Sequence, residues 1–291
     1  MRRAAEEIHL AEAQKRSITG NDIGVAILDT GLNPHPDFLY PKNRIAGFFD
    51  TIYGRQRPYD DSSHGTHVAG ILGGSGYLSD GIYAGVAPEC RLIPIKVLNR
   101  FGEGNMKRVI QGIDWVLQRK EEYRIRIVNI SIASVNGQKI EEESDFVRKV
   151  EQLWDEGLVV VASAGNDGPA SQTIGAPGNS RKIITVGCSD EAEMISGRGP
   201  TLECIKKPDI VAPGHNIISC GMNKNRRYCY VAKSGTSMSC PMVSGAVALL
   251  LERYPNMTNL EVKVRLKNAA VDLGRPHACQ GWGMLDIPSL I

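Results

Sequence analysis

Five short runs along the chain are almost wholly apolar and rich in β-branched residues: positions 23–28, 91–98, 125–132, 158–162 and 183–187. A strand with one face in water alternates apolar and polar residues. A continuous run such as Val159-Val160-Val161-Ala162 has no wet face, which is the pattern of a parallel strand covered on both sides. Between the runs the period lengthens to that of a helix. Over 105–119, Met106, Val109, Ile110, Ile113 and Val116 share one face; over 141–156, Phe146, Val150, Leu153 and Trp154 do the same. Strands alternating with helices predict βαβ units. The expected fold class is therefore α/β, a three-layer α/β/α arrangement around a mostly parallel, twisted central sheet. Such sheets carry their sites beyond the carboxyl ends of the strands, so the chemistry is sought there.

No repeat, low-complexity tract or linker divides the 291 residues, and a chain of this length can bury one large core. The expected organisation is a tail or helix over 1–17 and a single domain over 18–291. Composition then mainly excludes. The 34 Lys+Arg residues stand against 32 Asp+Glu, a net charge of +2, without the basic excess of a nucleic-acid binder. No apolar stretch is long enough for a membrane span. The opening MRRAAEEIHLAEAQKR lacks the apolar centre of a secretory signal. The seven cysteines are odd in number, irregularly spaced and without a CxxC pair, so neither a disulfide framework nor zinc is expected. Free thiols, mostly packed as small hydrophobes, point to a cytoplasmic location.

Four segments carry possible chemistry. Asp29 closes the first strand in Ile27-Leu28-Asp29-Thr30-Gly31; it is either a turn former or a carboxylate held by nearby donors. In Ser63-His64-Gly65-Thr66-His67-Val68-Ala69-Gly70, helical spacing puts His64 and His67 one turn apart. HxxH without a third ligand is a weak metal signal. His64, at the helix start, is read as exposed and functional, His67 as packed and hydrogen-bonded, and the small residues Gly65, Ala69 and Gly70 as a close contact. Asn166 stands in a glycine-bounded turn after the Val159–Ala162 run, where it could be a simple turn residue. Ser237, in Ser234-Gly235-Thr236-Ser237-Met238-Ser239-Cys240-Pro241, could be an N-cap, or a nucleophile where helix N–H groups favour negative charge.

Taken together, DTG at Asp29, HGTHVAG at His64, AGN at Asn166 and GTSMSCP at Ser237 closely resemble the subtilisin-like serine proteases, the subtilases, in content and order. The resemblance runs from about residue 18 to the end of the chain. It implies a serine endopeptidase acting on protein or peptide substrates without a catalytic cofactor. Ser237 would be the nucleophile, His64 the general base and Asp29 its orienting carboxylate, with the Asn166 amide and the Ser237 N–H as oxyanion donors. A catalytically silent member serving as a binding module is the alternative, although such members lack triad residues. A nucleotide-binding α/β protein is disfavoured, since neither GxGxxG after the first strand nor GxxxxGK[ST] occurs.

The same resemblance implies a cleft that takes the substrate as an extended strand between Gly102-Glu103-Gly104 and Ser131-Ile132-Ala133, with Gly175 at the pocket floor. Ala133 departs from the glycine usual in the family. Asp167, Glu103, Asp60 and Asp61 are expected along this cleft and would favour basic substrate residues. Met238 either lines the site or fills the core. Only 28 residues precede Asp29, which resembles the intracellular branch of the family. Finally, Asp37 matches the aspartate that holds a structural calcium in many members of the family, which implies a calcium site there with oxygen ligands available, although the loop 74–83 differs in length and carries Ser79-Asp80 in place of the usual Asn-rich run.

Overall fold

The computed structural model describes residues 1–132, 144–222 and 228–291. Each of the five apolar runs forms a strand. In chain order the central sheet consists of β1 (Gly24–Asp29), β2 (Phe49–Asp50), β3 (Arg91–Lys96), β4 (Ile125–Ile130), β5 (Val159–Ser163), β6 (Ile184–Cys188) and β7 (Ile210–Ala212). All seven pair in parallel, in the spatial order β2-β3-β1-β4-β5-β6-β7. The two edge strands β2 and β7 were not among the apolar runs. Nor were β8 (Ile217–Met222) and β9 (Tyr228–Lys233), which pair antiparallel as a separate ribbon.

The helices are α1 (Arg2–Glu7), α2 (Ala11–Lys15), α3 (Pro36–Leu39), α4 (His64–Gly73), α5 (Met106–Arg119), α6 (Asp145–Asp155), α7 (Thr236–Arg253), α8 (Asn259–Ala269), α9 (His277–Gln280) and α10 (Ile287–Leu290). Strand residues alternate between two cores. Val25, Ile27, Val159 and Val161 join one with α4, α7 and α8, whereas Ala26, Leu28, Val160 and Ala162 join the other with α5 and α6. This is the three-layer arrangement expected from continuous apolar strands. α5 starts where Asn105 accepts the Arg108 N–H at 2.9 Å, a side-chain cap that satisfies a donor the helix leaves free. Its Val109, Ile113 and Val116 are buried, and so are Phe146, Val150 and Leu153 of α6. Residues 141–143 of the expected second helix lie outside the described residues. α7 is buried on nearly its whole circumference, as befits a helix enclosed by the sheet and its neighbours. Burying each of Leu249, Leu250 and Leu251 contributes about 1.5–3 kcal/mol.

The first 17 residues do not form a separate tail. Met1, Ala4, Ile8, Leu10 and Ala13 belong to the α7-side core. The Ile287 N–H donates to Ile8 O at 3.1 Å, and His9 Nδ1 lies 2.7 Å from Asp286 Oδ1. Among the described residues no helix is long and apolar enough to cross a membrane.

The strand order positions the site. From β1 the chain crosses toward β2 and β3; from its neighbour β4 it crosses the other way, to β5. The crevice beyond the carboxyl ends of β1 and β4 is therefore the switch point where such sheets bind ligands.

Candidate active site

Asp29, the last residue of β1, is fully buried. Its Oδ1 accepts the Thr30 N–H at 2.7 Å and lies 2.7 Å from His64 Nδ1. His64 is the first residue of α4, so the aim of its ring depends on how that helix start is held. Asp60 holds it. Buried beside the helix, its carboxylate accepts from Thr30 Oγ1 (2.9 Å), the N–H groups of Ser62, Ser63 and Thr66 (2.9 Å each) and Thr66 Oγ1 (2.6 Å). A negative charge there complements the free N–H groups of the first turn. Burial raises the Asp60 pKa, but these hydrogen bonds outweigh it and keep the group below the ordinary carboxylate range. Thr30 Oγ1 also accepts the Gly65 N–H at 2.9 Å. Position 65 must be glycine-sized, because a Cβ there would collide with the Gly31 carbonyl.

Burial lowers the His64 pKa, but the Asp29 carboxylate and its hydrogen bond more than offset this and leave the ring above its usual value. His67 is different. It is fully buried, with Nε2 2.9 Å from Ile217 O and 3.0 Å from Val231 O. Burial, with Lys233 adding to it, drives its pKa down to about 3. His67 is thus the packed, hydrogen-bonded residue expected, and it fastens α4 to the β8–β9 ribbon. Gly70 of the same helix lies directly on Ser219 and Cys220 of β8, the close contact expected of the small residues.

Ser237 is the second residue of α7 and half-buried. Its Oγ donates to the Ser131 carbonyl, just past β4, at 3.1 Å; among the described residues it makes no hydrogen bond to His64. Its N–H lies in the helix turn whose donors have no intrahelical partner. Asn166 sits alongside: its Oδ1 accepts from Thr236 N (3.0 Å) and Thr236 Oγ1 (3.2 Å). That bonding leaves Nδ2 without an acceptor among the described residues. Gly235 has φ 131°, and a Cβ there would come within 3.1 Å of Asn166 Nδ2. Glycine is thus needed both for the backbone turn and for the approach of the amide.

The cleft residues divide. Ser131 and Ile132 are buried just past β4, and Ala133 lies outside the described residues. Gly102 and Glu103 are exposed in the loop that leaves β3 and Gly104 is half-buried; the Glu103 carboxylate takes a hydrogen bond from Asn99 Nδ2 at 3.2 Å. Gly175 is half-buried, its N–H on Ala164 O at 2.8 Å, and Asp167 is exposed. The acidic lining expected from four carboxylates is corrected. Asp60 is an internal anchor, and Asp61 pairs with Lys96 Nζ at 2.7 Å. Lys96 itself is fully buried opposite Asp29 in the β1–β3 register, and its Nζ also donates to Thr30 O and Leu98 O. Neither Asp60 nor Lys96 was assigned this structural part from sequence. The signals were the Ser62, Ser63 and Thr66 donors around Asp60 and a lysine inside an apolar strand. Met238 is 1% exposed and belongs to the core.

The calcium expected at Asp37 does not fit its surroundings. Calcium takes six to eight oxygen ligands, yet among the described residues Asp37 is the only carboxylate of its buried cluster. Its oxygens accept from Leu78 N–H (3.1 Å) and Tyr230 O–H (2.8 Å), with His35 and Cys220 as the other neighbours. Asp80 of the 74–83 loop is exposed.

Comparison with known proteins agrees with the motifs. The model of the subtilase family matches residues 20–283. The serine protease AprX of Bacillus subtilis is 41% identical over 91% of this chain, and the match covers 65% of AprX. The minor extracellular protease Epr of the same organism is 32% identical over 96% of the chain, with 39% of Epr covered. Subtilisin Savinase of Lederbergia lenta is 32% identical over 90% of the chain and 88% of its own length. The chain thus spans less than two thirds of the length of the first two relatives. A match over most of the chain, to the family and to a relative covered nearly end to end, makes this protein a member of the subtilase family.

Proposed function

We propose that the chain is a serine endopeptidase that hydrolyses peptide bonds through an acyl-enzyme, with Asp29, His64 and Ser237 as its triad. The observation that carries the reading is the 2.7 Å contact between His64 Nδ1 and the buried Asp29 carboxylate. That contact fixes the ring with its Nδ1–H on Asp29, so that Nε2 is left as the base. Once the Ser237 side chain turns from Ser131 O toward the imidazole, His64 takes the hydroxyl proton as Oγ attacks the carbonyl carbon, then returns it to the leaving amine. Asp29 holds the tautomer and stabilises the imidazolium without taking the proton. Charge developing on the former carbonyl oxygen is met by the Ser237 N–H and by Asn166 Nδ2, the donor left free when Thr236 occupies Oδ1. Catalysis of this kind needs no cofactor, and calcium at Asp37 is not part of the reading.

The substrate is a protein or peptide lying as an added strand between the Gly102–Gly104 loop and Ser131-Ile132, with Gly175 at the pocket floor. Of the carboxylates expected there, Asp167 and Glu103 remain near the surface to favour basic residues, and exposed charges of this kind contribute little each. No location belongs to the reading. Unpaired thiols point to a reducing compartment, whereas one relative is named as extracellular.

The silent-member alternative has one observation in its favour, the resting bond of Ser237 to Ser131 O rather than to His64. A fluorophosphonate probe separates the two. The endopeptidase reading expects covalent labelling of Ser237 that is lost in Ser237→Ala and strongly slowed in His64→Ala. Absence of labelling in the intact chain, together with no cleavage of a denatured protein substrate, would leave only the binding module.

A further inference from the structure

A second cluster of histidine and aspartate lies away from Ser237, where α3 meets the β8–β9 ribbon. His35, the N-cap of α3, Asp37, in its first turn, and Cys220 of β8 are all fully buried. Each offers one ligand atom, and these three atoms lie within 4.8 Å of one another. His35 Nδ1 is 3.5 Å from Asp37 Oδ1, and Cys220 Sγ is 3.5 Å from Asp37 Oδ2. A tetrahedral zinc ion, with its bonds to nitrogen and oxygen near 2.0–2.2 Å and to sulfur near 2.3 Å, holds such donors about 3.3–3.6 Å apart. The two separations are of that size, one to each oxygen of the Asp37 carboxylate. Hydrogen bonding accounts for only part of the cluster: His35 Nδ1 accepts the Asp37 N–H at 3.2 Å, whereas His35 Nε2 is buried without a hydrogen-bond partner among the described residues, which is unusual for a buried polar atom. Phe38, Tyr228 and Tyr230 surround the imidazole with ring centroids at 6.0, 5.5 and 5.6 Å. Aromatic rings packed in this way limit the access of water to a metal site.

We propose that His35, Asp37 and Cys220 form a site for one divalent cation of the zinc class. A mixed nitrogen, oxygen and sulfur donor set selects such an ion over calcium, which requires oxygen. The Tyr230 hydroxyl, 2.8 Å from Asp37 Oδ2, orients the carboxylate from behind or supplies the fourth ligand. On binding, the Cys220 thiol loses its proton to solvent as the sulfur–metal bond forms, and no electron is transferred. Asp37 and Cys220 are 183 positions apart in the chain, so the ion ties α3 to the ribbon and stabilises the folded state. The site does not use Ser237 and stands whether or not the chain is a peptidase.

The test uses the full chain carrying Ser237→Ala, which cannot digest itself, stripped with a chelator and titrated with cobalt(II). The expected result is one equivalent bound, with a thiolate-to-cobalt charge-transfer band and the visible bands of tetrahedral cobalt, both bleached by zinc. Zinc should raise the melting temperature and calcium should not. The spectrum should persist when exposed or half-buried Cys204, Cys229 and Cys279 are replaced together by Ser. Cys220→Ser should abolish the thiolate band and weaken binding at least about 100-fold, beyond the loss typical of an outer-shell change. Should Cys220→Ser fail to fold, the triple-cysteine variant still decides, because a thiolate band that vanishes there assigns the metal to surface sulfur. No thiolate band, a band that survives Cys220→Ser, or an equal thermal shift with calcium overturns the site.

Discussion

His64 and His67 stand one turn apart on the same helix and share almost nothing else. The His64 side chain is 26% exposed and leans on a carboxylate, which lifts its pKa. His67 is enclosed and faces two backbone carbonyls, and burial takes its pKa to about 3. One residue type thus becomes a ring with a raised pKa beside a carboxylate or a buried, neutral fastener. Exposure and the charge of the neighbour make the choice. The Asp29 carboxylate can stabilise an imidazolium; the Ile217 and Val231 carbonyls can only orient a neutral N–H.

The contrast is broken most directly by deletion. His64→Ala should lower kcat by about 10⁴- to 10⁶-fold, with Ser237→Ala no worse in combination, because triad members act as a unit. His67→Asn should leave kcat within about tenfold, since its ring touches no reacting atom. Equal losses in the two histidine variants, measured on one peptide substrate, would abolish the distinction. On the oxyanion side, Asn166→Ala should cost about 10²- to 10³-fold in kcat, roughly 3–4 kcal/mol, with KM little changed; a rise in KM at constant kcat would instead make Asn166 a binding residue. Denaturant unfolding should rank the histidines in reverse. His67→Ala leaves a cavity and strips the two carbonyls of their shared donor, so it should lose about 2–4 kcal/mol, whereas half-exposed His64 should matter less.

The pH dependence sharpens the same contrast. On the proposed mechanism catalysis needs neutral His64, so the acid limb of kcat/KM should fall above the ordinary histidine value of about 6.5. A limb at or below that value would mean that Asp29 does not govern the ring. Stability should carry both signatures. The His64–Asp29 contribution is complete below about pH 6.5 and fades as pH rises through the raised folded value. The His67 contribution is complete above about pH 6.5 and is lost as pH falls toward its folded pKa. The smallest effect belongs to the cleft rim: Asp167→Asn should reduce any preference for Lys or Arg by less than about 1 kcal/mol, read from peptide-library cleavage.

Strands covered on both faces were legible because their apolar runs are continuous; β2 and β7, of two and three residues, are too short to show any period. β9 escaped because it is mostly half-exposed and shows no clean alternation. The motif residues Asp29, His64, Asn166 and Ser237 were legible as types at strand ends and helix starts. What held them in place was not. Asp60 reads as a surface acid until Thr30, Ser62, Ser63 and Thr66 turn it inward. Asp61 is paired with the buried Lys96 at the end of β3, and Cys220 meets Asp37 only because the ribbon folds back over α3. Long-range pairing of this kind leaves no local period to read.

The resting bond from Ser237 to the Ser131 carbonyl has a consequence in time. Breaking it and realigning the hydroxyl is a single side-chain rotation, an event of picoseconds to nanoseconds for a group in contact with solvent. Typical peptide turnover runs at about 1–10³ per second. On the proposed mechanism Ser237 would therefore sample its aligned position on the order of a million times or more within one catalytic cycle, so parking it on a backbone oxygen sets no clock of its own.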